Sequence, residues 1–156
     1  MFRVSWFVVR GSAGGFRMVR KSINIKFLLI PFILLCSLGV AEAADRFWVG
    51  GIGNWLETAH WSTVTGGTGG ASVPGTADRA IFDGSSGGGT CTINQNISVG
   101  GIDLRTGNTT TVSQGAYTIT IGTQNAVFTA GTFSGGTADI DINGTFTLQG
   151  ASFTAT

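Results

Sequence analysis

Trp48, Trp55 and Trp61 all fall between Phe47 and Ser62 and form the densest group of side chains in this chain with an evident chemistry. Indole faces stack on the apolar faces of pyranose rings, so an exposed row of them would be a sugar-binding platform. Gly50, Gly51 and Gly53 lie between the rings, however, and favour tight turns that fold the tryptophans inward, where they would close the end of a stacked fold. His60 is the single histidine. Flanked by Ala59 and Trp61, without a second His or a paired Cys, it reads as a structural polar residue rather than a metal ligand or base.

The carboxylates give a second set of candidates. Asp139, Asp141 and Asn143 alternate along one segment, and Asp78 and Asp83 bracket another. Their oxygens suit Ca²⁺, but neither set has the spacing of a calcium loop, and a solvated outer face accounts for them better. A polysaccharide-cleaving site needs two close carboxylates, or a carboxylate with Arg or Lys in a cleft. Arg46, Arg79 and Arg105 are scattered, and no lysine follows Lys26. The glycine-rich stretches 65–71 and 84–89 lack both the Lys-Ser/Thr ending of a phosphate loop and a G-x-G-x-x-G between strand and helix. The sequence therefore assigns no catalytic, cofactor-binding or metal-binding residue, and an enzyme is not expected. Outward Thr pairs, Thr118-x-Thr120, Thr145-x-Thr147 and Thr154-x-Thr156, raise a further class, a flat face that binds ordered water or ice, although Thr is also a common strand-surface residue.

The segment 1–43 reads as a separate object. Arg17, Arg20, Lys21 and Lys26 precede an apolar run from Phe27 to Val40, followed by Ala41-Glu42-Ala43. Basic, apolar and small-residue regions in that order are a secretory signal peptide, with cleavage expected after Ala43. The run contains Pro31 and is shorter than the ~20 residues that span a bilayer, so a retained membrane span is not expected. Cys36 lacks the small residue before it that lipoprotein processing requires. Met18 opens a leader of more ordinary length and is an alternative start to Met1.

Without that leader the balance of charge reverses. The segment 44–156 carries three basic and seven acidic side chains, a formal charge of −4, against +1 for the whole chain. A segment without lysine or a basic cluster lacks the electrostatic footprint of a nucleic-acid binder or of a protein drawn to anionic membranes. Gly and Thr are its two commonest residue types, a composition rich in turns and β-branched positions and poor in helix formers. Cys91 has no partner within the exported segment and reads as a small buried hydrophobe at a strand start. The sequons at Asn96, Asn108 and Asn143 carry little weight in a chain so rich in Asn and Thr.

These residues need elements to hold them, and the pattern is all-β. In Tyr117-Thr-Ile119-Thr-Ile121 and Ala138-Asp-Ile140-Asp-Ile142, apolar residues take every second position, which places the isoleucines on one face. Phe128-Thr-Ala-Gly131-Thr-Phe133 recurs as Phe146-Thr-Leu-Gln-Gly150-Ala-Ser-Phe153, with the matching aromatics and glycines offset by nearly the same distance. A unit of roughly 20 residues is one coil of a parallel β-solenoid, in which each inward side chain stacks on its counterpart about 4.8 Å away. A β-sandwich is the alternative, but it leaves the recurring Phe units as coincidence. Val73-Pro74 reads as a turn, and Asp78 to Asp83 as a short strand whose Ile81 and Phe82 open the first core layer. The expected organisation is a signal peptide over 1–43, a Trp-rich cap with Gly-rich loops over 44–89 and β-strand repeats over 90–156. The repeats still run at Phe146 to Thr156 with no closing helix, charged strand or proline, so further coils are expected beyond them, with edge-to-edge self-association where they are missing.

Trp48-Val-Gly-Gly-Ile-Gly53-Asn-Trp55, Trp61-Ser62, Val73-Pro74 and Asp78 through Phe82-Asp83, followed by Thr/Gly-rich β repeats, resemble the N-terminal region of large bacterial surface or secreted proteins with autotransporter-associated β-strand repeats. The resemblance covers residues 47–83 and beyond them rests on repeat style. It implies an exported β-solenoid within an adhesin-like or passenger chain, and it carries no catalytic residue over. Together these readings give a secreted or cell-surface structural or adhesive module, with surface glycans or other cell-surface proteins as partners. The alternatives are a carbohydrate-binding module using Trp48, Trp55 and Trp61 and, behind it, a polysaccharide-degrading β-helix enzyme.

Overall fold

The computed structural model describes residues 7–10, 16–19 and 42–155. Most of the expected leader, over 20–41, lies outside the described residues. Met1–Val40 and Ala41–Thr156 are two separate compact units. In the first, β1 (Phe7–Arg10) and β2 (Phe16–Val19) pair antiparallel, with Phe7 opposite Val19 and Arg10 opposite Phe16.

The second unit is a parallel β-solenoid, and no α-helix occurs among its described residues. Short runs of inward apolar residues between Gly, Asn and Thr corners force the chain to turn every few residues, so each strand is too short to bury a face alone and must stack on the next coil. Three complete coils are β6 (Arg79–Phe82), β7 (Thr90–Thr92) and β8 (Ile97–Val99); β9 (Gly101–Leu104), β10 (Thr111–Ser113) and β11 (Ile119–Ile121); and β12 (Ala126–Phe128), β13 (Thr132–Ser134) and β14 (Ile140–Ile142). Before them come β3 (Asp45–Trp48) and β4 (Gly53–Asn54), and after them β15 (Phe146–Leu148) and β16 (Ser152–Thr154). These strands form three faces: β15-β12-β9-β6-β3, β16-β13-β10-β7-β4 and β14-β11-β8, parallel throughout. β5 (Trp61–Ser62) joins the outer edge of β3 antiparallel, with Trp48 opposite Trp61.

The core is a set of files running along the solenoid. On the first face Ala80, Ile102, Ala126 and Phe146 stack in register, as do Phe82, Leu104, Phe128 and Leu148. The second face contributes Cys91, Val112, Phe133 and Phe153, and the third Ile97, Ile119 and Ile140 beside Val99, Ile121 and Ile142. Each large apolar side chain in these files, when fully buried, contributes about 1.5–3 kcal/mol.

The register corrects the expected repeat in two ways. Coil length is not constant: Phe133 faces Phe153 on the second face, whereas the successive partners Ala80, Ile102 and Ala126 on the first are more widely and unequally spaced. Phe146 faces Ala126, and the partner of Phe128 is Leu148, so the likeness of Phe128 to Phe146 that the sequence offered is out of phase with the pairing. The solenoid also starts earlier than Thr90, because β3, β4 and β6 already belong to its faces.

Corner residues set how closely coils approach. A Cβ on Gly136 would run into the Gly115 carbonyl of the preceding coil. At Asn125 the backbone is left-handed (φ 73°), a conformation Asn tolerates, and its Oδ1 accepts from Thr145 N at 2.9 Å in the next coil.

Candidate functional site

Trp48, Trp55 and Trp61 sit at the N-terminal end of the solenoid, each 0% exposed. Trp61 packs edge-on to Trp48 at 5.2 Å and to Trp55 at 4.9 Å, and Phe82 lies within 6.2 Å of all three. Trp48 Nε1 donates to Gly51 O at 2.9 Å and Trp61 Nε1 to Trp55 O at 2.7 Å. A ring covered on its faces by other rings has none left for a pyranose, so the sugar platform built from Trp48, Trp55 and Trp61 is absent from the surface. His60 belongs to the same cluster: its ring stacks on Trp48 at 4.8 Å, with Nδ1 2.9 Å from Val49 O and Nε2 3.4 Å from Glu57 Oε2. Gly50 and Gly53 make room for that ring, since a Cβ on Gly53 would overlap it.

The carboxylates divide into two groups. Asp78 accepts from Ala44 N at 3.0 Å and from Gly75 N at 2.9 Å; Asp83 accepts from Ser85 N at 2.8 Å and from Thr65 Oγ1. Both carboxylates cap turns through these bonds. Asp139 and Asp141 are exposed on the outside of the third face, on and beside β14. Among the described residues no three His, Cys, Asp or Glu side chains cluster as a metal site would require. Asp103 is paired with Arg105 at 2.7 Å, and that guanidinium lies 6.0 Å above the Phe47 ring. Cys91 is fully buried in the middle of β7, and burial pushes its thiol well above the usual range, so it remains protonated and unreactive.

Side-chain amides hold the coils together. Gln114 Nε2 donates to Ala138 O at 2.8 Å and Tyr117 O at 3.0 Å, while its Oε1 accepts from Gly136 N at 2.9 Å. Asn108 Oδ1 accepts from Thr110 N at 2.9 Å and Nδ2 donates to Ala130 O at 3.3 Å. Asn96 Oδ1 accepts from Thr118 N at 3.0 Å and Asn143 Nδ2 donates to Ile121 O at 3.3 Å. The asparagines of all three sequons thus act as cross-coil fasteners.

The register brings together side chains that sequence spacing did not connect. On the second face Thr90, Thr111, Thr132 and Ser152 are successive partners, and so are Thr92, Ser113, Ser134 and Thr154. Because Cys91, Val112, Phe133 and Phe153 between them point inward, the two hydroxyl files point outward. The Thr pairs singled out from the sequence do not make one surface: Thr120 lies on β11, Thr147 on β15 and Thr154 on β16, one on each face, and Thr156 lies outside the described residues.

At the other end, Ile121, Phe128, Phe133, Ile140, Ile142, Phe146 and Phe153 line an apolar cavity of about 170 Å³. Comparison of the chain with protein-family models, curated proteins and solved structures gives no match.

Proposed function

We propose that this chain is an exported structural and adhesive β-solenoid segment of a bacterial secreted or cell-surface protein, acting through its outer faces. The observation that supports this most is the sorting of side chains: Trp48, Trp55, Trp61, Phe82, Phe128, Phe133 and the Cys91 thiol are packed inside, and regular polar files face outward on short parallel strands. A solenoid displays such files at fixed spacing over an extended surface, which suits contact with another surface better than enclosure of a small substrate. Its partners on this reading are surface glycans or cell-surface proteins, and the open strands β14, β15 and β16 allow a second copy to pair edge to edge. Export follows from the leader.

Expression of the full chain in a secreting bacterium tests the proposal. The expected product appears outside the cytoplasm with its N-terminus near Ala44 and adheres to cells or glycan-coated surfaces without cleaving polysaccharide. A product that stays in the cytoplasm with its N-terminus before Phe27, or one that turns over polysaccharide, would overturn it.

A further inference from the structure

We propose that the outward face of β7, β10, β13 and β16 binds ordered water, and specifically the surface of ice. Its strands read Thr-Cys-Thr, Thr-Val-Ser, Thr-Phe-Ser and Ser-Phe-Thr, paired without a register break. Every outward position is therefore a hydroxyl, giving two files of four. Neighbours along a file are about 4.8 Å apart, and the files are separated by roughly 6.7 Å, the rise of two strand residues. A hydroxyl lattice of those dimensions approaches the spacing of oxygens on a prism face of ice.

Four independent features fit such a ligand. None of the eight side chains is buried. None of their hydroxyls hydrogen-bonds to another group among the described residues, so each keeps one donor and two acceptor positions for water. No charged side chain stands on the four strands, in contrast to Asp141 on the third face and Asp103 on the first. The face is also backed by close packing, where Val112 is fully buried and Phe133 and Phe153 stack at 5.4 Å with their planes 17° apart. The threonine methyls beside the hydroxyls order first-shell water further. A polysaccharide surface fits less well, because the face carries no aromatic ring, and the tryptophans that could supply one are internal. The file ends at β4, where Asn54 follows Thr92 but its Nδ2 is committed to Glu57 Oε1 at 2.8 Å.

This inference goes beyond the proposed adhesive role and is tested separately, on single ice crystals grown slowly in solutions of the purified full chain. The expected result is faceted crystals with protein taken up into the ice. Thr132→Tyr projects a ring from the centre of the lattice and should abolish faceting and uptake. Ser134→Lys does the same with a flexible side chain that the strand tolerates, and circular dichroism melts identify which variants are folded. Thr120→Tyr on β11 lies on another face and should leave both effects intact. Smooth discs with the wild-type chain, equal loss from Thr120→Tyr, or retention on crystalline cellulose or chitin without any effect on ice would each overturn the proposal.

Discussion

Phe82 touches all three tryptophans and continues as the first member of the file Phe82, Leu104, Phe128 and Leu148, so one ring joins the N-terminal cluster to the core. Phe82→Ala should cost about 3–5 kcal/mol, because its rigid indole neighbours cannot collapse into the space left behind. Chemical denaturation reads the loss, and a change below the ordinary surface range would show that the cluster is loosely packed. The native chain should fluoresce well to the blue of free tryptophan and resist quenching by acrylamide, with both properties lost on unfolding. A smaller effect of known sign comes from Glu57. The Asn54 backbone N–H, at 3.0 Å, and then the Asn54 side chain, at 2.8 Å, stabilise its carboxylate and lower its pKa from 4.5. A lowered folded-state value contributes stability above the unfolded value and loses it as pH falls through the folded one. Melts at neutral pH and below 4.5 should therefore show a slight acid-dependent loss in the wild type that Glu57→Gln lacks. The difference is small, because the group is exposed and screened.

At the scale of the element, side-chain amides fasten strands that are short. Each strand between corners is two to four residues long, and Gln114 alone bonds to Tyr117 within its own coil and to Gly136 and Ala138 in the next. Gln114→Ala should cost about 1–3 kcal/mol, because the bonds of one buried amide to Tyr117 O, Ala138 O and Gly136 N are lost together. Gln149→Ala on an exposed corner should change stability by less than about 0.5 kcal/mol, and equal melts for the two variants would refute the role given to the buried amide. Such fasteners are also what the sequence concealed. Alternation in Ile119-Thr-Ile121 and Ile140-Asp-Ile142 was enough to place those residues in parallel files, since a period of two survives any register. Coil length was not, because corners absorb insertions: the step from Ile102 to its partner Ala126 is longer than the step from Ala80 to Ile102. The hydroxyl face was hidden for a related reason. Ser113, Ser134 and Ser152 break the Thr-x-Thr pattern in the sequence while preserving it in chemistry, and only pairing shows that they share files with Thr92, Thr154, Thr90, Thr111 and Thr132.

For the whole molecule, a stack of coils is stable only as far as each coil has neighbours, so its stability should vary along its length. Burial grades in that direction. Inward positions of β9 to β13 are buried, those of β14 are half-buried, and in β15 Phe146 and Leu148 are 41% and 49% exposed. Among the described residues, β14, β15 and β16 also have a paired strand on one side only. Native-state hydrogen exchange of the purified chain at low concentration should therefore be fastest in Ile140–Ile142, Phe146–Leu148 and Ser152–Thr154, and slowest in β9 to β11, which have a coil on either side. Raising the concentration distinguishes fraying from pairing. A second copy pairing edge to edge would cover the cavity bounded by Phe146 and Phe153 and the free backbone beside it, slowing exchange in those three strands and leaving the interior coils unchanged. Leu148→Lys, a charge set on that edge, should abolish the concentration dependence while preserving the gradient. Uniform protection along the solenoid would remove the gradient, and exchange in β14 to β16 that is independent of concentration would remove the self-pairing.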